Sequence, residues 1–220
     1  MRRTIFEQEH ELFRESVEAF VEAEIAPNAE AWDEAGVVDK AMFRKAGEAG
    51  LLGMAIPGQY GGGGVDDFRY NAVLDEVVTG TGHGASGLCI TLHNDICLPY
   101  FLAYADDAQK ARWLPGMASG EIMTAIAMTE PGTGSDLAGI KTTARLDGDV
   151  YVVNGAKTFI TNGINADAVI VVARTGDDPH GGLSLLVIEE GMEGFERGRR
   201  LDKMGLKAQD TAELFFNDVA

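Results

Sequence analysis

The chain has 220 residues, of which 45% are hydrophobic and 24% charged, a balance that excludes both a disordered chain and a membrane protein. Lysine and arginine number 18 against 35 aspartates and glutamates, so the formal net charge is -17. Because this potential repels phosphate backbones and anionic headgroups, we expect neither nucleic acid nor a membrane as a partner.

The cysteines and the first residues indicate the compartment. Cys89 and Cys97 stand eight positions apart in apolar surroundings, which favours reduced core thiols over a disulfide or a metal site. The start is basic only at Arg2 and Arg3 and then becomes acidic, without the apolar core of a signal peptide. The sequence therefore predicts a cytoplasmic protein.

The first 120 residues carry apolar side chains at the three-and-four spacing of helix faces. This spacing predicts helices over residues 6–25, 39–49, 70–78 and 107–114. We expect Pro27 and Pro115 to end the first and last of these helices, and Gly50 to follow the second. We predict an all-helical domain over residues 1–119.

After residue 120 the pattern changes to short runs of β-forming residues separated by turn residues. We predict strands at residues 122–128, 140–146, 150–153, 158–161, 168–173, 183–188 and 213–216. The pairs Asn154-Gly155 and Asn162-Gly163 are typical of tight hairpin turns. The spacing predicts packed antiparallel sheets, that is, a sandwich-like or barrel-like domain over residues 120–220, and an α+β chain.

Several patterns that often carry chemistry do not do so convincingly here. The sequence GHGASG (residues 82–87) has the spacing of a dinucleotide-binding loop, but a helical period precedes it, so we interpret it as a loop between helices. The four histidines form no set at metal-ligand spacing, and no metal site is predicted. Ser86 lacks the flanking glycine spacing of a nucleophile turn.

The sequence TAIAMTEPGTGSD (residues 124–136) is the stretch most suggestive of chemistry. A β-run opens into a turn that lies between the hydroxyls of Thr129 and Ser135. Gly132 and Gly134 allow positive φ and a close backbone approach, so that successive N–H groups can point at one anion or ring edge. On its own, the segment is equally compatible with a strand that ends in an ordinary turn.

Three separated motifs make the chain resemble the N-terminal and middle domains of acyl-CoA dehydrogenases, above all the long-chain members. The sequence MTEPGTGSD (128–136) resembles the flavin and substrate signature of the family, and GIKT (139–142) follows it. NGAKTFITNG (154–163) resembles the second flavin-contacting element, and RLDKMGLKAQDT (200–211) resembles the segment that closes the middle domain. The motifs occur in the family order, and the resemblance covers essentially the whole chain.

The resemblance implies that FAD is the cofactor and suggests its contacts. The Thr129 hydroxyl would donate to the pyrimidine edge, Thr161 would address N5, and Phe159, where many relatives carry Trp, would pack on the rings. Acyl-CoA contacts are implied for Ser135 and His180. The full set of implied cofactor contacts is Ile126, Ala127, Met128, Thr129, Gly134, Ser135, Phe159, Ile160 and Thr161.

The family reaction is the α,β-dehydrogenation of acyl-CoA to trans-2-enoyl-CoA in fatty-acid β-oxidation. The resemblance implies a medium or long acyl chain, an electron-transfer flavoprotein as acceptor, and a homo-oligomer. The reaction needs a carboxylate base, which the family supplies from a C-terminal helical bundle. No carboxylate here matches that base, and Glu130 is not interpreted as one. We therefore predict no catalytic residue in this chain and expect a truncated or split dehydrogenase that lacks the bundle.

Two alternatives stay open. The chain can be a non-catalytic module that binds acyl-CoA or FAD, or that assembles with relatives. It can also be an oxygen-using flavoenzyme of the same fold, although the resemblance around Lys203, Met204 and Gly205 argues against this.

Overall fold

The computed structural model describes residues 4–220, which form two compact units. The helical unit contains residues 4–123 together with Lys203–Gln209, and the sheet unit contains Thr124–Asp202 and Asp210–Ala220. Lys203–Gln209 thus belongs to the helical unit although it follows six strands in the chain. Within that unit, the Ala208 amide donates to the Asp33 side chain at 2.8 Å.

The helical unit is built around a buried apolar cluster that includes Phe43, Leu51, Leu74 and Ile90. Two π-helical turns, Val21–Ile25 and Leu92–Cys97, continue the first and fifth helices. The helices are α1 (Gln8–Phe20), α2 (Ala29–Ala35), α3 (Lys40–Glu48), α4 (Arg69–Gly80), α5 (Gly84–Thr91), α6 (Leu98–Tyr104) and α7 (Asp107–Ser119).

Helix ends follow local chemistry where the sequence supplies a cap. The Asp39 side chain accepts a hydrogen bond from the Ala41 amide at 2.8 Å, so α3 begins as predicted. Gly50, with φ of 72°, follows its end. Cys89 and Cys97 are buried thiols that form no disulfide, in agreement with the sequence.

The expectation that Pro115 ends a helix is wrong. Pro115 lies inside α7, which continues to Ser119. The proline removes one backbone hydrogen bond, but Trp113, Leu114 and Met117 around it are buried. Burial of these side chains stabilises the helical path across the interruption. Pro27, in contrast, lies in a short 3₁₀ turn between α1 and α2, where its missing N–H costs little.

The interpretation of residues 82–87 as a loop is correct only in part. Gly84 begins α5, so the last four of the six residues of the motif are helical. The preceding element is α4, a helix, and not the strand that a dinucleotide-binding turn requires.

The sheet unit contains one seven-stranded sheet in the order β1-β4-β2-β3-β7-β6, with β5 also paired to β4. β5 runs antiparallel to β4, whereas β1 runs parallel to it, so the sheet is mixed. The order of a helical region and then a β-rich region confirms the α+β prediction, whereas the predicted packed antiparallel sheets are one mixed sheet in which β1 and β2 pair parallel to β4. The strands are β1 (Thr124–Ala127), β2 (Thr143–Asp147), β3 (Val150–Thr161), β4 (Ala168–Arg174), β5 (Leu183–Glu189), β6 (Phe195–Arg200) and β7 (Thr211–Val219).

The hairpin turn predicted at Asn154-Gly155 is wrong, because these residues lie inside the 12-residue strand β3. The register against β7 shifts between Val153 and Gly155, which marks a bulge. At this bulge Gly155 has φ of 152°, and a Cβ there would lie 2.4 Å from the Thr142 hydroxyl oxygen. The glycine therefore serves a bulge with close packing and not a reversal of the chain.

Asp75 and Asp95 form a close carboxyl pair in the helical unit. Asn71 and Asp75 lie one turn apart on α4, and the Asn71 amide donates to Asp95 in the second π-helical turn. Burial raises the pKa of Asp75 to about 7, and the neighbouring Asp95 carboxyl acts in the same direction. Folding therefore favours the protonated Asp75.

We expect this pair to make the stability of the chain depend on pH. An unfolded aspartate has a pKa of about 3.9, so the free energy of unfolding falls as pH rises from about 4 through 7. At pH 8, Asp75→Asn should be more stable than the wild type by about 1 kcal/mol after allowance for solvent screening, and at pH 4 the two should agree. Urea unfolding across this range measures the difference. Asp66→Asn, which changes an exposed carboxyl, is the control. If the free energy of unfolding depends on pH in the same way in the wild type and in Asp75→Asn, the expectation is contradicted.

Candidate functional site

A buried ion pair lies at the centre of the chemistry-bearing stretch. Lys157 on β3 is 1% exposed and Glu130 is 6% exposed, and their charged atoms are 3.0 Å apart. The backbone amides of Lys141 and Thr142 donate to the two Glu130 carboxylate oxygens at 2.7 and 2.9 Å. Both oxygens of Glu130 are therefore engaged by protein donors.

The environment of the pair acts on both pKa values. Burial would raise the pKa of Glu130, but the hydrogen bonds from Lys141, Thr142 and Lys157 outweigh it and hold this pKa below its usual range. Burial also lowers the pKa of Lys157, against the opposing effect of Glu130. A base must reach the proton that it abstracts, and Glu130 has neither an accessible oxygen nor a raised proton affinity.

Lys157 also fixes the backbone of the predicted flavin motif. Its ammonium donates to the Met128 carbonyl oxygen at 2.9 Å. The next residue on β3, Thr158, donates its amide to the Thr129 carbonyl oxygen at 2.9 Å. The residues that follow β1 are therefore held against β3, and the two motifs separated by some thirty positions in sequence meet here.

The turn after Thr129 is tight but does not use positive φ. Glu130 and Thr133 exchange backbone hydrogen bonds of 2.9 and 3.1 Å across Pro131 and Gly132. Neither Gly132 nor Gly134 is among the residues with positive φ, so that part of the sequence expectation is wrong. A Cβ at either glycine would meet nothing within 4 Å, so these positions adjoin open space.

Phe159 has an unusual backbone for a bulky residue. Its φ is 59°, in the left-handed region, and its side chain is 67% exposed. Such a conformation costs about 1–3 kcal/mol for a non-glycine residue and is most often found at functional sites. The strained backbone presents an exposed aromatic residue directly after Thr158, whose amide is bonded to the Thr129 carbonyl oxygen.

The predicted contact residues differ in their access to a ligand. Ala127 and Ile160 are buried in the apolar core of the sheet unit, at 0% and 2% exposure. Partly exposed are Ile126, Met128, Thr129 and Thr161, and exposed are Gly134, Ser135 and Phe159. No hydrogen bond among residues 4–220 engages the hydroxyls of Thr129, Ser135 or Thr161.

His180 lies apart from this cluster, on the exposed turn between β4 and β5. Its amide donates to the Asp178 side chain at 2.8 Å. Arg174 connects this turn to the segment after Ser135, since its guanidinium donates to the Asp178 and Ala138 carbonyl oxygens at 3.0 and 2.9 Å.

Sequence reasoning missed Lys157 and Arg174. The only local signal for Lys157 was a lysine within a stretch of β-forming residues. Arg174 ends an apolar strand and belongs to no motif. Within residues 4–220, no group of three or more His, Cys, Asp or Glu side chains is placed to hold a metal ion. None of the helices in the same range is long and apolar enough to cross a membrane.

Comparison with known proteins defines the class to which this fold and site belong. The protein-family model of the acyl-CoA dehydrogenase N-terminal domain matches residues 7–121, and the family model of the middle domain matches residues 125–219. The chain belongs to the acyl-CoA dehydrogenase family, whose members are FAD-dependent oxidoreductases. The resemblance drawn from the motifs is thus confirmed.

Individual relatives agree with the family models. The mitochondrial long-chain specific acyl-CoA dehydrogenase of Sus scrofa is 47% identical over 99% of this chain and 50% of its own length. The acyl-CoA dehydrogenase from Geobacillus kaustophilus is 48% identical with a TM-score of 0.94, over 99% of this chain and 57% of that one. An acyl-CoA dehydrogenase from Bacillus anthracis, solved in complex with FAD, is 34% identical with a TM-score of 0.88. The match covers 98% of this chain and 36% of that one. The chain spans about half the length of the curated relatives it matches.

We expect removal of the Lys157 charge to destabilise the sheet unit strongly. Lys157→Met leaves the Glu130 carboxylate buried without its charged partner, which should cost about 3–5 kcal/mol in the free energy of unfolding. The double variant Lys157→Met, Glu130→Gln should recover part of this loss, because no unpaired charge is then buried. Urea unfolding measures both.

Lys45→Met is the matched control. Lys45 pairs with Glu24 at 2.6 Å, but the two side chains are 52% and 30% exposed. Breaking this pair should cost below about 1 kcal/mol. If Lys45→Met and Lys157→Met lower the free energy of unfolding equally, burial does not set the strength of the ion pair between Glu130 and Lys157.

Proposed function

We propose that this chain provides the flavin-binding and acyl-CoA-binding surface of an FAD-dependent acyl-CoA dehydrogenase. The observation that carries the proposal is the junction of the Met128–Thr129 backbone with β3 beside the strained, exposed Phe159. The proposed reaction converts acyl-CoA to trans-2-enoyl-CoA in fatty-acid β-oxidation. A medium or long acyl chain is proposed from the similarity to long-chain enzymes.

The residues at this junction fit a flavin. An oxidised flavin offers acceptors at its pyrimidine edge and at N5, so its site needs donors and a flat apolar contact. The hydroxyls of Thr129 and Thr161 are free of other hydrogen bonds among residues 4–220, and the exposed Phe159 ring supplies the contact. When bound, FAD supplies the hydride acceptor. We assign the pyrimidine edge to Thr129 and the backbone before it, and N5 to Thr161.

The acyl-CoA is assigned to Ser135 and His180. Both are exposed, and the open space at Gly132 and Gly134 allows a ligand to approach the backbone near Ser135 closely. Because Glu130 is buried and its oxygens are occupied, we assign no base to residues 4–220. The carboxylate that removes the proton next to the thioester is proposed to come from sequence outside these 220 residues.

The remaining assignments are proposals of the same kind. They are an electron-transfer flavoprotein as the electron acceptor and a homo-oligomeric complete enzyme. The cytoplasmic location stays a prediction of the sequence, since the Sus scrofa relative is mitochondrial. A non-catalytic module that binds FAD or acyl-CoA is the alternative, and the burial of the Glu130 carboxylate, whose two oxygens are occupied, favours it for the isolated chain.

An absorption titration tests the proposal. The purified chain is mixed with FAD, and acyl-CoA thioesters are then added without oxygen. A retained, perturbed flavin band that does not bleach supports a binding surface that needs an external base. Bleaching by substrate would show that a base lies within this chain, and failure to retain flavin would overturn the proposed site.

We expect Phe159 to contribute to FAD binding while its strained backbone lowers the free energy of unfolding of the chain. Phe159→Gly should raise the free energy of unfolding by about 1 kcal/mol, because glycine adopts positive φ without strain. The same change should weaken FAD binding about fivefold through loss of the aromatic contact. Thermal unfolding of the chain without FAD and flavin fluorescence measure the two effects.

Phe159→Ala and Tyr151→Ala are the comparison variants. Phe159→Ala should lose affinity for FAD without the gain in stability, because alanine retains the backbone strain. Tyr151 is an exposed aromatic at the start of the same strand, 43% exposed, and its loss should not change FAD affinity. Unchanged binding in Phe159→Gly would remove Phe159 from the site.

A further inference from the structure

Arg174, the last residue of β4, joins two segments that are distant in sequence. Its Nε donates to the Ile140 carbonyl oxygen at 3.1 Å, and its Nη2 donates to the Ala138 carbonyl oxygen at 2.9 Å. Its Nη1 donates to the Asp178 carbonyl oxygen at 3.0 Å. All three guanidinium nitrogens are thus used on backbone carbonyls of two segments.

The first of these segments follows Ser135 directly. The Asp136 side chain accepts a hydrogen bond from the Ala138 amide at 3.2 Å and begins the 3₁₀ turn Leu137–Gly139. Two guanidinium bonds hold this short turn, at Ala138 and at Ile140 just after it. Arg174 therefore holds the segment that follows Ser135.

The second segment is the turn that carries His180. The amides of Thr175 and Gly176 donate to the Gly182 carbonyl oxygen at 2.9 and 3.1 Å, and the Asp178 carboxylate accepts from the His180 amide. The Gly182 amide closes the turn on the Asp178 carbonyl oxygen at 2.9 Å. Arg174 donates to the same Asp178 carbonyl oxygen. It therefore holds the turn at Asp178, the residue that accepts the hydrogen bonds that close the turn.

We propose that Arg174 is a positioning residue for acyl-CoA, which holds Ser135 and His180 as parts of one binding surface. The proposal rests on the proposed function, in which these two residues contact acyl-CoA. A guanidinium can hold three carbonyls in one plane, whereas a lysine ammonium at the same place cannot reproduce this fork. Hydrogen bonds from a charged donor are also stronger than neutral ones, so the connection is a firm one.

The flavin contacts should depend on Arg174 much less. The backbone at Met128 and Thr129 is held by Lys157 and Thr158, and neither bonds to Arg174. Of the proposed flavin set, only Ser135 and its neighbour Gly134 lie near the Arg174 connection in sequence. The proposal therefore separates the two ligands: loss of Arg174 affects acyl-CoA and largely spares FAD.

Arg197 offers a matched control within the same unit. Its guanidinium donates to the carbonyl oxygens of Gly163 and Ala166 at 3.1 and 2.5 Å, and to the Glu190 carboxylate at 3.1 Å. It thus holds a turn by the same chemistry as Arg174. None of these partners lies in the Ser135 segment or in the His180 turn.

The test compares Arg174→Lys and Arg174→Gln with Arg197→Lys in the FAD-loaded chain. Calorimetry with lauroyl-CoA gives the acyl-CoA affinity, flavin fluorescence gives the FAD affinity, and hydrogen exchange follows residues 136–140 and 176–182. We expect Arg174→Lys to weaken lauroyl-CoA binding at least fivefold, to change FAD binding less than twofold, and to speed exchange in both segments. Arg197→Lys should leave lauroyl-CoA binding unchanged.

The outcomes separate this proposal from the proposed function. If the wild-type chain binds lauroyl-CoA and Arg174→Lys binds it equally well, Arg174 is not a positioning residue, while the proposed function stands. If the wild-type chain loaded with FAD does not bind lauroyl-CoA, the proposed function fails and the role of Arg174 fails with it. A loss of lauroyl-CoA affinity in Arg174→Lys without faster hydrogen exchange in residues 136–140 and 176–182 would assign the effect to direct contact with the ligand and overturn the positioning role.

Discussion

The ion pair between Glu130 and Lys157 is the interaction on which the candidate site depends. A buried carboxylate is tolerable only when its charge is balanced and its oxygens are satisfied, and here two amides and one ammonium do both. The same ammonium holds the Met128 carbonyl, so one side chain connects β3 to the end of β1. The site is consequently built from backbone that the sheet unit holds in place and not from a mobile loop.

The surface around this pair shows how the fold presents groups to a ligand. Lys157 and Thr158 are buried, and the strained, left-handed backbone of the next residue, Phe159, accompanies an exposed side chain. Two arginines, Arg174 and Arg197, secure neighbouring turns through carbonyl contacts that need no matching side chain. Such contacts leave little trace in sequence, because any residue can supply a carbonyl oxygen.

Much of the fold followed from local pattern, and the failures have physical causes. The helix at residues 40–48 was predictable because Asp39 caps it and its apolar residues share one face. The helix through Pro115 was not, because buried neighbours outweigh a local penalty. Asn154-Gly155 has the composition of a turn, but pairing with β7 along the strand makes it a bulge. β6 was missed because its sequence, FERGRR, is largely charged, and only its ladder to β7 makes it a strand.

The sequence by itself determined the family, through its motifs, and the order of a helical and a β-rich region, through residue type and spacing. The flavin and acyl-CoA contacts stay predictions that the family resemblance implies. Only the tertiary structure decided that Ala127 and Ile160 turn their side chains into the core, that the oxygens of Glu130 are occupied, and that Arg174 links the segment after Ser135 to the His180 turn. These features depend on contacts between positions far apart in the chain. Burial and hydrogen bonding at such positions are set by the packed sheet, and local periodicity carries no record of them.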